Sequence, residues 1–303
     1  MERKNYDVII IGGGIAGMTA AIYCARANLS TLILEQKTLG GLVNSTWKIE
    51  NFPSLKSVGG MDLMEMVREQ VEYNGADIEE ATEVESFDFN GQTKEIVTFD
   101  GAFTARAVIV ATGREPRRLP IKTDCEQIHY CAICDGSLYK GKKVLVVGGG
   151  NAGVEESIYM CNLGVAHITI IEQLERLFAN EASQREMEKY PIESHVLTSV
   201  RGLIEENGKL KGAVLVNGDG EPREIQVDGI FVYMGQDPQT DLFSGVLEME
   251  KGYIVGGEDM ETNVPGVFVA GDVRTKKIRQ ITTAMNDGTI AAISADSYIR
   301  TLD

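Results

Sequence analysis

The sequence predicts an α/β protein with two three-layer (ββα) domains, the second inserted into the first. Two glycine-rich loops, residues 12–17 and 148–153, predict this organisation, because each lies between a short apolar run and a helical pattern. The two loops are also copies of each other. When their glycines are aligned, Tyr23 in the first helical pattern falls on Tyr159 in the second. A repeat this close indicates two domains of one fold.

The first loop has the surroundings of a dinucleotide-binding fingerprint. Residues 8–11 predict a buried parallel strand, and the next predicted strand ends in Glu35. Gly12 permits the tight turn, Gly14 lets the backbone approach a pyrophosphate, and Gly17 lets the helix pack closely on the strand. Glu35 can accept hydrogen bonds from ribose hydroxyls. Strand, loop, helix, strand and acid in this order predict a Rossmann-like nucleotide-binding domain.

The second loop repeats this pattern. Residues 144–147 predict its first strand, and its closing strand ends in Glu172. Gly148, Gly150 and Gly153 take the places of the three glycines above. The chain therefore contains two Rossmann-like nucleotide-binding domains.

The remaining elements define the insertion. In chain order we predict a helix at 62–73, strands at 83–89, 95–99 and 107–113, a hairpin at 209–216 and 224–227, a strand at 229–235, a turn and strand at 264–272, and a helix at 283–299. The chain can leave the first domain after the strand at 107–113 and return after the one at 229–235. We therefore predict a discontinuous first domain, residues 1–114 and 241–303, and a second domain at residues 115–240.

The composition excludes several classes of protein. Of 303 residues, 43% are hydrophobic, which supports buried cores, and the net charge of −16 argues against nucleic acid and anionic membranes as partners. The first residues run directly into a predicted strand instead of a signal peptide, and no apolar run reaches membrane-spanning length. We therefore expect a cytoplasmic protein without a membrane partner.

A Cys-x-x-Cys motif, Cys131 and Cys134, lies between the two glycine loops. Cysteines at this spacing can close a small disulfide ring and reopen it, and Asp135 can carry a proton to or from a departing sulfur. A zinc site would need two more ligands, but the chain has only three histidines and no second such motif. A structural disulfide is unusual without an export signal. We therefore predict a redox-active pair and no metal site.

Together these motifs resemble the low-molecular-weight thioredoxin reductase family, over essentially the full length of the chain. The resemblance is carried by residues 12–17, 50–53, 111–113, 131–136, 148–153, 271–273 and 279–280. Its most specific part is the Cys-x-x-Cys-Asp-Gly run just ahead of the second loop. The resemblance implies bound FAD, a homodimer, and thioredoxin or a thioredoxin-like protein as the partner.

The resemblance also implies roles for individual residues. Cys134 would face the flavin, Cys131 would attack the disulfide of the protein partner, and Asp135 would donate a proton. The inserted domain would rotate about residues 114–118 and 235–240. FAD would be held by Gly12, Gly14, Ala16, Gly17, Glu35, Gly41, Asn51, Val84, Ala111, Thr112, Gly113, Gly271, Asp272, Arg279, Gln280 and Ile281.

The sequence departs from this family at the end of the second closing strand. Members that use NADPH have His-Arg-Arg and a further arginine there, whereas this chain has Ile171, Glu172, Gln173 and Leu177. A carboxylate about 4 Å from the 2′-phosphate would cost about 4 kcal/mol at an effective dielectric near 20, roughly a thousandfold in affinity. This argues against NADPH as the electron donor.

Two donors remain open. Glu172 can bind the 2′-hydroxyl of NADH, as the acid of an NAD fingerprint does. Alternatively, the second nucleotide site is a relic and reduced ferredoxin donates the electrons, as in the ferredoxin-linked flavin thioredoxin reductases. An acidic ferredoxin could dock on the basic run at residues 274–279, despite the negative net charge. The sequence does not choose between NADH and ferredoxin.

Two other functions also remain open. One is a flavin ferredoxin–NAD(P) oxidoreductase in which the dithiol is incidental, and the other is a redox-sensing flavoprotein without turnover. The complete Cys-x-x-Cys-Asp run argues against the sensor. Loss of turnover with a protein disulfide on replacing Cys131 would exclude the oxidoreductase.

Overall fold

The computed structural model describes residues 3–218 and 220–302. The chain divides into two compact units, one formed by residues 1–115 with 238–303 and the other by residues 116–237. Each unit contains a mainly parallel sheet with helices packed on it, which confirms the predicted α/β class with Rossmann-like domains.

The first unit begins with the predicted strand–loop–helix–strand arrangement. Its elements up to the first connection are β1 (Arg3–Ile11), α1 (Ile15–Arg26), β2 (Thr31–Leu34), α2 (Gly60–Tyr73), β3 (Asp77–Glu79), β4 (Val84–Asp88), β5 (Lys94–Thr98), β6 (Gly101–Val110) and β7 (Arg114–Pro116). All four residues of β2 are buried, as expected of a parallel strand that is covered on both faces.

The second unit repeats this arrangement after a short strand and the Cys-x-x-Cys segment. Its elements are β8 (Ile128–His129), α3 (Ala132–Asp135), β9 (Lys143–Val147), α4 (Asn151–Asn162), β10 (His167–Ile171), α5 (Glu181–Met187), β11 (Ile192–His195), β12 (Thr198–Glu206), β13 (Lys209–Asn217), β14 (Arg223–Gln226) and β15 (Gly229–Val232). The chain leaves this unit through β16 (Gln236–Pro238).

The first unit then resumes and ends in a long helix. Its last elements are β17 (Met249–Glu250), β18 (Tyr253–Ile254), β19 (Val267–Val269) and α6 (Ile281–Arg300). Within the described parts of the chain, no helix is long and apolar enough to cross a membrane.

The sheet of the first unit has the strand order β3–β2–β1–β6–β5–β4. The strands β3, β2, β1 and β6 are parallel, and β19 joins in parallel with the last third of β6. One face packs against α1 and α6 through a core that includes Ile10, Met18 and Phe268. The carboxyl ends of the parallel strands meet at one edge, where open α/β sheets bind their ligands. The first glycine loop lies at this edge.

The sheet of the second unit is fully parallel, in the order β11–β10–β9–β15–β8. A separate antiparallel sheet, β12–β13–β14, shares a core with it through Leu145, Leu215 and Ile230. The second glycine loop again follows the carboxyl end of its strand, β9. Both loops therefore lie at the edges where ligands bind in this class of sheet.

Several strands differ from the sequence prediction, among them the start of β6 and the unpredicted strands β3, β8, β11, β12, β17 and β18. The strand predicted at 107–113 begins earlier, at Gly101, because its first half pairs with β5. The strand β12 was not predicted at all. Its pairing with β13 shifts register twice, between Val200 and Gly202 and between Ile204 and Glu205. Such shifts interrupt the alternation of apolar and polar residues from which a strand is recognised.

The helices α1 and α6 cross at a point where only glycine fits. A Cβ atom on Gly288 would overlap the carbonyl oxygen of Ala16 in α1. We expect Gly288→Ala to lower the free energy of unfolding by about 1–3 kcal/mol, because the helices must separate and this outweighs the better helix propensity of alanine. Urea denaturation measures the change. In the control Gly257→Ala, the new Cβ would meet no atom within 4 Å, and an equal loss in both variants would contradict the close packing.

Candidate active site

The first glycine loop is held by contacts that only glycine allows. Gly12 has a φ of +108°, and a Cβ atom there would overlap the carbonyl oxygen of Ala111. A Cβ atom on Gly17 would in turn overlap the carbonyl oxygen of Gly12. These contacts place the start of α1 against the end of β1, as the fingerprint predicts.

The loop is open on the side where the fingerprint places a pyrophosphate. A Cβ atom on Gly14 would meet no atom within 4 Å, and no side chain caps α1, whose N-cap is Gly14. Gly41 borders this space, since its Cβ would lie 3.5 Å from the Cα of Gly14. The N–H groups of the first helical turn are therefore available to phosphate oxygens.

Glu35 is fixed beside this loop by two backbone hydrogen bonds. Its Oε2 accepts from the N–H of Gly13 at 2.7 Å, and its Oε1 accepts from the N–H of Lys37 at 2.8 Å. The N–H of Thr82 donates to the carbonyl of Glu35 at 2.9 Å, which brings the segment that leads into Val84 to the same place. Glu35 and the segment that leads into Val84 therefore lie beside the same glycine loop.

Other predicted cofactor residues gather at the same edge of the sheet. A Cβ atom on Gly271 would lie 2.8 Å from the Cβ of Ala16. The Asn51 amide donates to Gln280 Oε1 at 3.1 Å, and Gln280 caps α6, which begins at Ile281. Residues from three distant parts of the sequence thus converge on the start of α1 and the start of α6.

The segment after β6 completes this edge. Gly113 has a φ of +69°, and its carbonyl accepts a hydrogen bond from the N–H of Gln239 at 3.1 Å. The Thr112 hydroxyl donates to the carbonyl of Gln239 at 2.7 Å. These bonds fix the backbone of residues 111–113 where it contacts the first glycine loop.

Asp272 has a buried carboxylate oxygen that lacks a hydrogen-bond donor within the part of the chain that the structure describes, and a bound hydroxyl group would supply one. Its Oδ1 is buried and accepts no hydrogen bond from the described residues, and the closest cation, Lys276 Nζ, is 3.9 Å away. Burial raises the pKa of Asp272, although Lys276, Arg114 and Arg279 each act to lower it. The buried Nε of Arg114 also has no partner among the described atoms. An acceptor and a donor of this kind fit the ribityl chain and ring of FAD.

The basic run at residues 274–279 is turned inward. The side chains of Arg274 and Lys276 are only 13% and 8% exposed. Both form ion pairs with the buried carboxylate of Asp287, at 3.5 and 2.8 Å respectively. Of the basic side chains in the run, only Lys277 is exposed. The expectation that this run is an exposed docking surface is therefore wrong, because its cations neutralise a buried acid.

The second glycine loop copies the first in its backbone contacts. Gly148 has a φ of +117°, and a Cβ atom there would overlap the carbonyl oxygen of Tyr233. A Cβ on Gly153 would overlap the carbonyl oxygen of Gly148, whereas one on Gly150 would meet nothing within 4 Å. No side chain caps α4. The second unit therefore retains the complete geometry of a dinucleotide cradle.

Glu172 occupies the position of Glu35 in this second cradle. Its Oε2 accepts from the N–H of Gly149 at 2.8 Å, and its Oε1 accepts from the N–H of Leu174 at 3.0 Å. An open depression of about 460 Å³ lies next to it, and is lined by Pro120, Ile121, Gln173, Leu197, Thr198, Ser199, Val200, Arg201 and Gly218. The carboxylate thus takes the same place in the second cradle as Glu35 takes in the first.

The two arginines near Glu172 contact other side chains. The Arg176 guanidinium lies over the ring of Phe178, 5.2 Å from its centroid, and Arg185 pairs with Glu181 at 3.4 Å. In these positions they do not form a 2′-phosphate site around the Glu172 carboxylate.

Cys131 and Cys134 form a disulfide, with their Cα atoms 5.4 Å apart. Cys131 is the N-cap of α3, and its Sγ accepts a hydrogen bond from the N–H of Cys134 at 3.2 Å. Cys134 is exposed and Cys131 is partly buried. Both sulfurs and Asp135 therefore belong to a single helical turn, so the bond can open and close with little movement of the backbone.

Asp135 lies within ion-pair distance of a histidine that sequence reasoning missed. Its Oδ2 lies 3.0 Å from Nδ1 of His129, and Nε2 of His129 lies 2.6 Å from the hydroxyl of Tyr139. The histidines entered the sequence predictions only as too few to complete a zinc site. The signal that could have found it is its position on a short strand just before Cys131. Across residues 3–218 and 220–302, no group of three or more His, Cys, Asp or Glu is arranged to hold a metal ion.

Comparison with known proteins identifies the family. The model of the pyridine nucleotide-disulphide oxidoreductases matches residues 6–288. The chain belongs to this family. Membership implies FAD and a nicotinamide cofactor, and the fit of Asp272 and the two glycine cradles agrees with it.

The chain is similar to low-molecular-weight thioredoxin reductases of the family. It is 39% identical to the thioredoxin reductase of Bacillus subtilis, over 99% of this chain and 97% of the relative. It is 42% identical to a 34.2 kDa protein in the rubredoxin operon of Clostridium pasteurianum, over 98% of both chains. The crystal structure of Lactococcus lactis thioredoxin reductase matches with a TM-score of 0.92 and 36% identity, over 98% of this chain and 99% of the other.

The second unit of this family member also contains a buried carboxyl group. Glu156, on α4, is 7% exposed, and its Oε2 has no hydrogen-bond partner among the described residues. Burial, with a contribution from the neighbouring Glu155, raises the pKa of Glu156 to about 8. The side chain is therefore mainly protonated at neutral pH.

Three further cysteines lie away from the disulfide. Cys24 is buried, and Cys125 is buried with its thiol donating to Gln127 Oε1 at 3.0 Å. Cys161 is partly buried. Burial raises the pKa of Cys24 to about 12 and that of Cys161 to about 11. Cys24 belongs to the core of the first unit and Cys125 to a core of the second.

Glu156 makes stability depend on pH. The folded state keeps this proton to a higher pH than the unfolded chain does, so its contribution to the free energy of unfolding falls as pH rises from about 5 to 8. We expect Glu156→Gln to be more stable than the parent protein by about 2–4 kcal/mol at pH 8, and nearly equal to it at pH 5. Urea denaturation at both pH values measures this difference. The exposed Glu126→Gln is the control, and a pH-independent difference for Glu156→Gln would contradict the assignment.

Proposed function

We propose that this protein is a cytoplasmic, homodimeric, FAD-dependent thioredoxin-type disulfide reductase. In this proposal electrons pass from a donor through FAD to Cys131 and Cys134, and from this pair to the disulfide of thioredoxin or a close relative. The observation that carries the proposal is the Cys131–Cys134 disulfide in one helical turn with Asp135 beside it. Its relatives in Bacillus subtilis and Lactococcus lactis are thioredoxin reductases, which supports the same partner here.

The first unit provides the residues that would hold FAD. The open N–H groups around Gly14 would bind the pyrophosphate, Glu35 would accept the ribose hydroxyls, and Asp272 Oδ1 would accept a hydroxyl of the ribityl chain. FAD supplies the ability to take up two electrons and to pass them to a disulfide. The protein contributes binding, orientation and the charge around the ring, including Arg279 and Lys276.

The proposed donor is not NADPH. Glu172 places a carboxylate at the ribose position of the second cradle, and Arg176 and Arg185 are engaged elsewhere. The intact cradle supports NADH, because the Gly148 and Gly153 contacts and the Glu172 hydrogen bonds match those of the first loop. A carboxylate in this position favours a 2′-hydroxyl over a 2′-phosphate.

Reduced ferredoxin is the second candidate donor. It remains open because the absence of arginines beside Glu172 among the described residues argues against NADPH without requiring that NADH binds the second cradle. The inward-facing run at residues 274–279 gives this candidate no support. Under this alternative the second unit would serve as the carrier of the dithiol, with the nucleotide cradle unused.

Loss of Cys131 tests the dithiol pathway. We expect Cys131→Ser to reduce turnover with oxidised thioredoxin by at least a thousandfold, because no dithiol remains to reduce the partner disulfide. The rate is measured with whichever donor bleaches the flavin, by following thiol formation in thioredoxin. Cys125→Ser is the matched control and should retain its rate.

Unchanged turnover in Cys131→Ser would contradict the reductase proposal. That result would favour the flavin ferredoxin–NAD(P) oxidoreductase, in which the dithiol is incidental. A flavin that none of the donors reduces quickly would favour the redox sensor.

Anaerobic bleaching of the flavin band identifies the donor. We expect NADPH to be slow, and either NADH or photoreduced ferredoxin to be fast. If NADH is the donor, Glu172→Gln should lower the bleaching rate at limiting NADH by about 10- to 100-fold, because a charged hydrogen bond to the ribose is lost. The exposed Glu175→Gln is the control. Fast bleaching by NADPH would contradict the role given to Glu172.

A further inference from the structure

Three side chains form a continuous chain of polar contacts behind the disulfide, one at ion-pair distance and one a hydrogen bond. Asp135 Oδ2 is 3.0 Å from Nδ1 of His129, and Nε2 of His129 is 2.6 Å from the hydroxyl of Tyr139. They come from three consecutive elements, β8, α3 and the 3-10 turn Gly136–Tyr139. The chain begins at the residue next to Cys134 and ends in the interior of the second unit.

Exposure falls steadily along this chain. The Asp135 side chain is 35% exposed, that of His129 is 10% exposed, and Tyr139 is 3% exposed. Only Asp135 has substantial contact with solvent, so protons reach His129 through it. The imidazole is held in place by the ring of Phe231, 5.0 Å away, and by the edge of the Tyr139 ring at 5.3 Å.

We propose that His129 exchanges a proton with Asp135 and positions its carboxylate. Together the two side chains hold the proton that is released and taken up during the reaction of Cys131 and Cys134. This inference rests on the proposed disulfide reductase function. It gives a role to a residue outside the Cys-x-x-Cys-Asp run, and it makes Tyr139 the inner end of the chain.

The hydrogen-bond pattern suits this role. Burial, with contributions from Asp135, Cys125 and Asp228, raises the pKa of Tyr139 to about 12. Tyr139 therefore keeps its proton and can donate to Nε2 of a neutral imidazole whose Nδ1 faces Asp135. When His129 takes up a proton, both ring nitrogens donate, and the Tyr139 hydroxyl rotates to accept. Both protonation states are hydrogen-bonded.

The proton balance of the reaction requires such a group. Reduction of a partner disulfide breaks one S–S bond in the partner and forms one between Cys131 and Cys134, with transfer of two electrons. Two protons leave the cysteine thiols, and two join the partner sulfurs. Each cysteine must act as a thiolate, and each departing partner sulfur takes up a proton. Asp135 and His129 can hold a proton between its removal from one thiol and its transfer to the departing sulfur.

Other charged and titratable groups surround the two ends of this chain. At the inner end, Lys142 Nζ lies over the Tyr139 ring, 5.2 Å from its centroid, and Asp228 and Cys125 act on the hydroxyl. These groups belong to the elements packed around Tyr139, and within the described residues none of them forms a hydrogen bond or ion pair with His129.

At the α3 end, Tyr233 and Glu156 lie behind the disulfide turn. The carboxylates of Glu156 and Asp135 add to burial in raising the pKa of Tyr233, and the N–H of Ala132 acts to lower it. The buried oxygen atoms Glu156 Oε2 and Tyr233 Oη have no hydrogen-bond partner in the described residues. Glu156 is therefore a separate buried acid, and its effect on the cysteines is measured separately with Glu156→Gln.

The test is the pH dependence of cysteine reactivity, which needs neither the electron donor nor the protein partner. The FAD-containing protein is reduced with dithiothreitol, desalted without oxygen and treated with iodoacetamide from pH 5 to 10, and alkylation of Cys131 and Cys134 is measured by mass spectrometry. A protonated His129 offsets the charge of Asp135 and favours a thiolate nearby. In His129→Asn this offset is lost, so we expect alkylation to be about threefold slower at pH 6 and unchanged at pH 9.

The variants separate this role from a structural one. Asparagine can keep a hydrogen bond to Asp135 but does not titrate, and His129→Gln provides a second variant of the same kind. Tyr139→Phe should move the part of the alkylation pH profile that depends on His129 to a different pH without removing it. The control His167→Asn replaces a histidine that pairs with Glu193 at 3.5 Å, and its profile should match that of the parent protein.

Two outcomes would overturn the inference. One is a His129→Asn profile that superimposes on that of the parent protein, and the other is an equal slowing at every pH, which indicates a structural effect alone. Either outcome leaves the disulfide reductase function standing, because that function is tested by Cys131→Ser turnover. Conversely, normal turnover in Cys131→Ser would end the proposed function and leave the alkylation result valid as chemistry of the cysteine pair.

Discussion

Both units depend on one close contact between a helix and the loop that precedes it. Gly17 faces the carbonyl of Gly12, and Gly153 faces that of Gly148, with no room for a side chain in either place. This contact sets the direction of α1 and α4, and so points their first N–H groups into the open space above the sheet. The acid at the end of the next strand then closes the cradle through a hydrogen bond to the loop. A single steric requirement thus organises both glycine-loop cradles.

Much of the fold follows from the sequence because the parallel strands are short, apolar and bounded by glycine loops. The strands β1, β9 and β10, and the helices that follow the loops, were recognised in this way. The strand β12 escaped prediction because its bulges break the alternating pattern, and the start of β6 was missed because it is defined by pairing with β5. Pairing between distant strands leaves little trace in local sequence.

The candidate site was only partly visible in the sequence. The glycines and Glu172 could be located because each has a fixed position relative to a strand. The partners of the charged side chains could not be located, since they depend on tertiary packing. Arg274 and Lys276 looked like a surface run but turn inward to Asp287, and His129 looked unremarkable but lies against Asp135. Their partners are separated from them in sequence or lie on a different element, so no local pattern identifies them.

The three remaining thiols bear on the fidelity of the chemistry. A protein that handles disulfides repeatedly exposes itself to mixed disulfides and to reshuffling of its own cysteines. Cys24 and Cys161 are held as thiols by the raised pKa that burial gives them, and Cys125 is covered and hydrogen-bonded within its loop. Thiolate attack is therefore confined to one turn of helix. The packing of these side chains keeps the other three cysteines out of thiol–disulfide exchange.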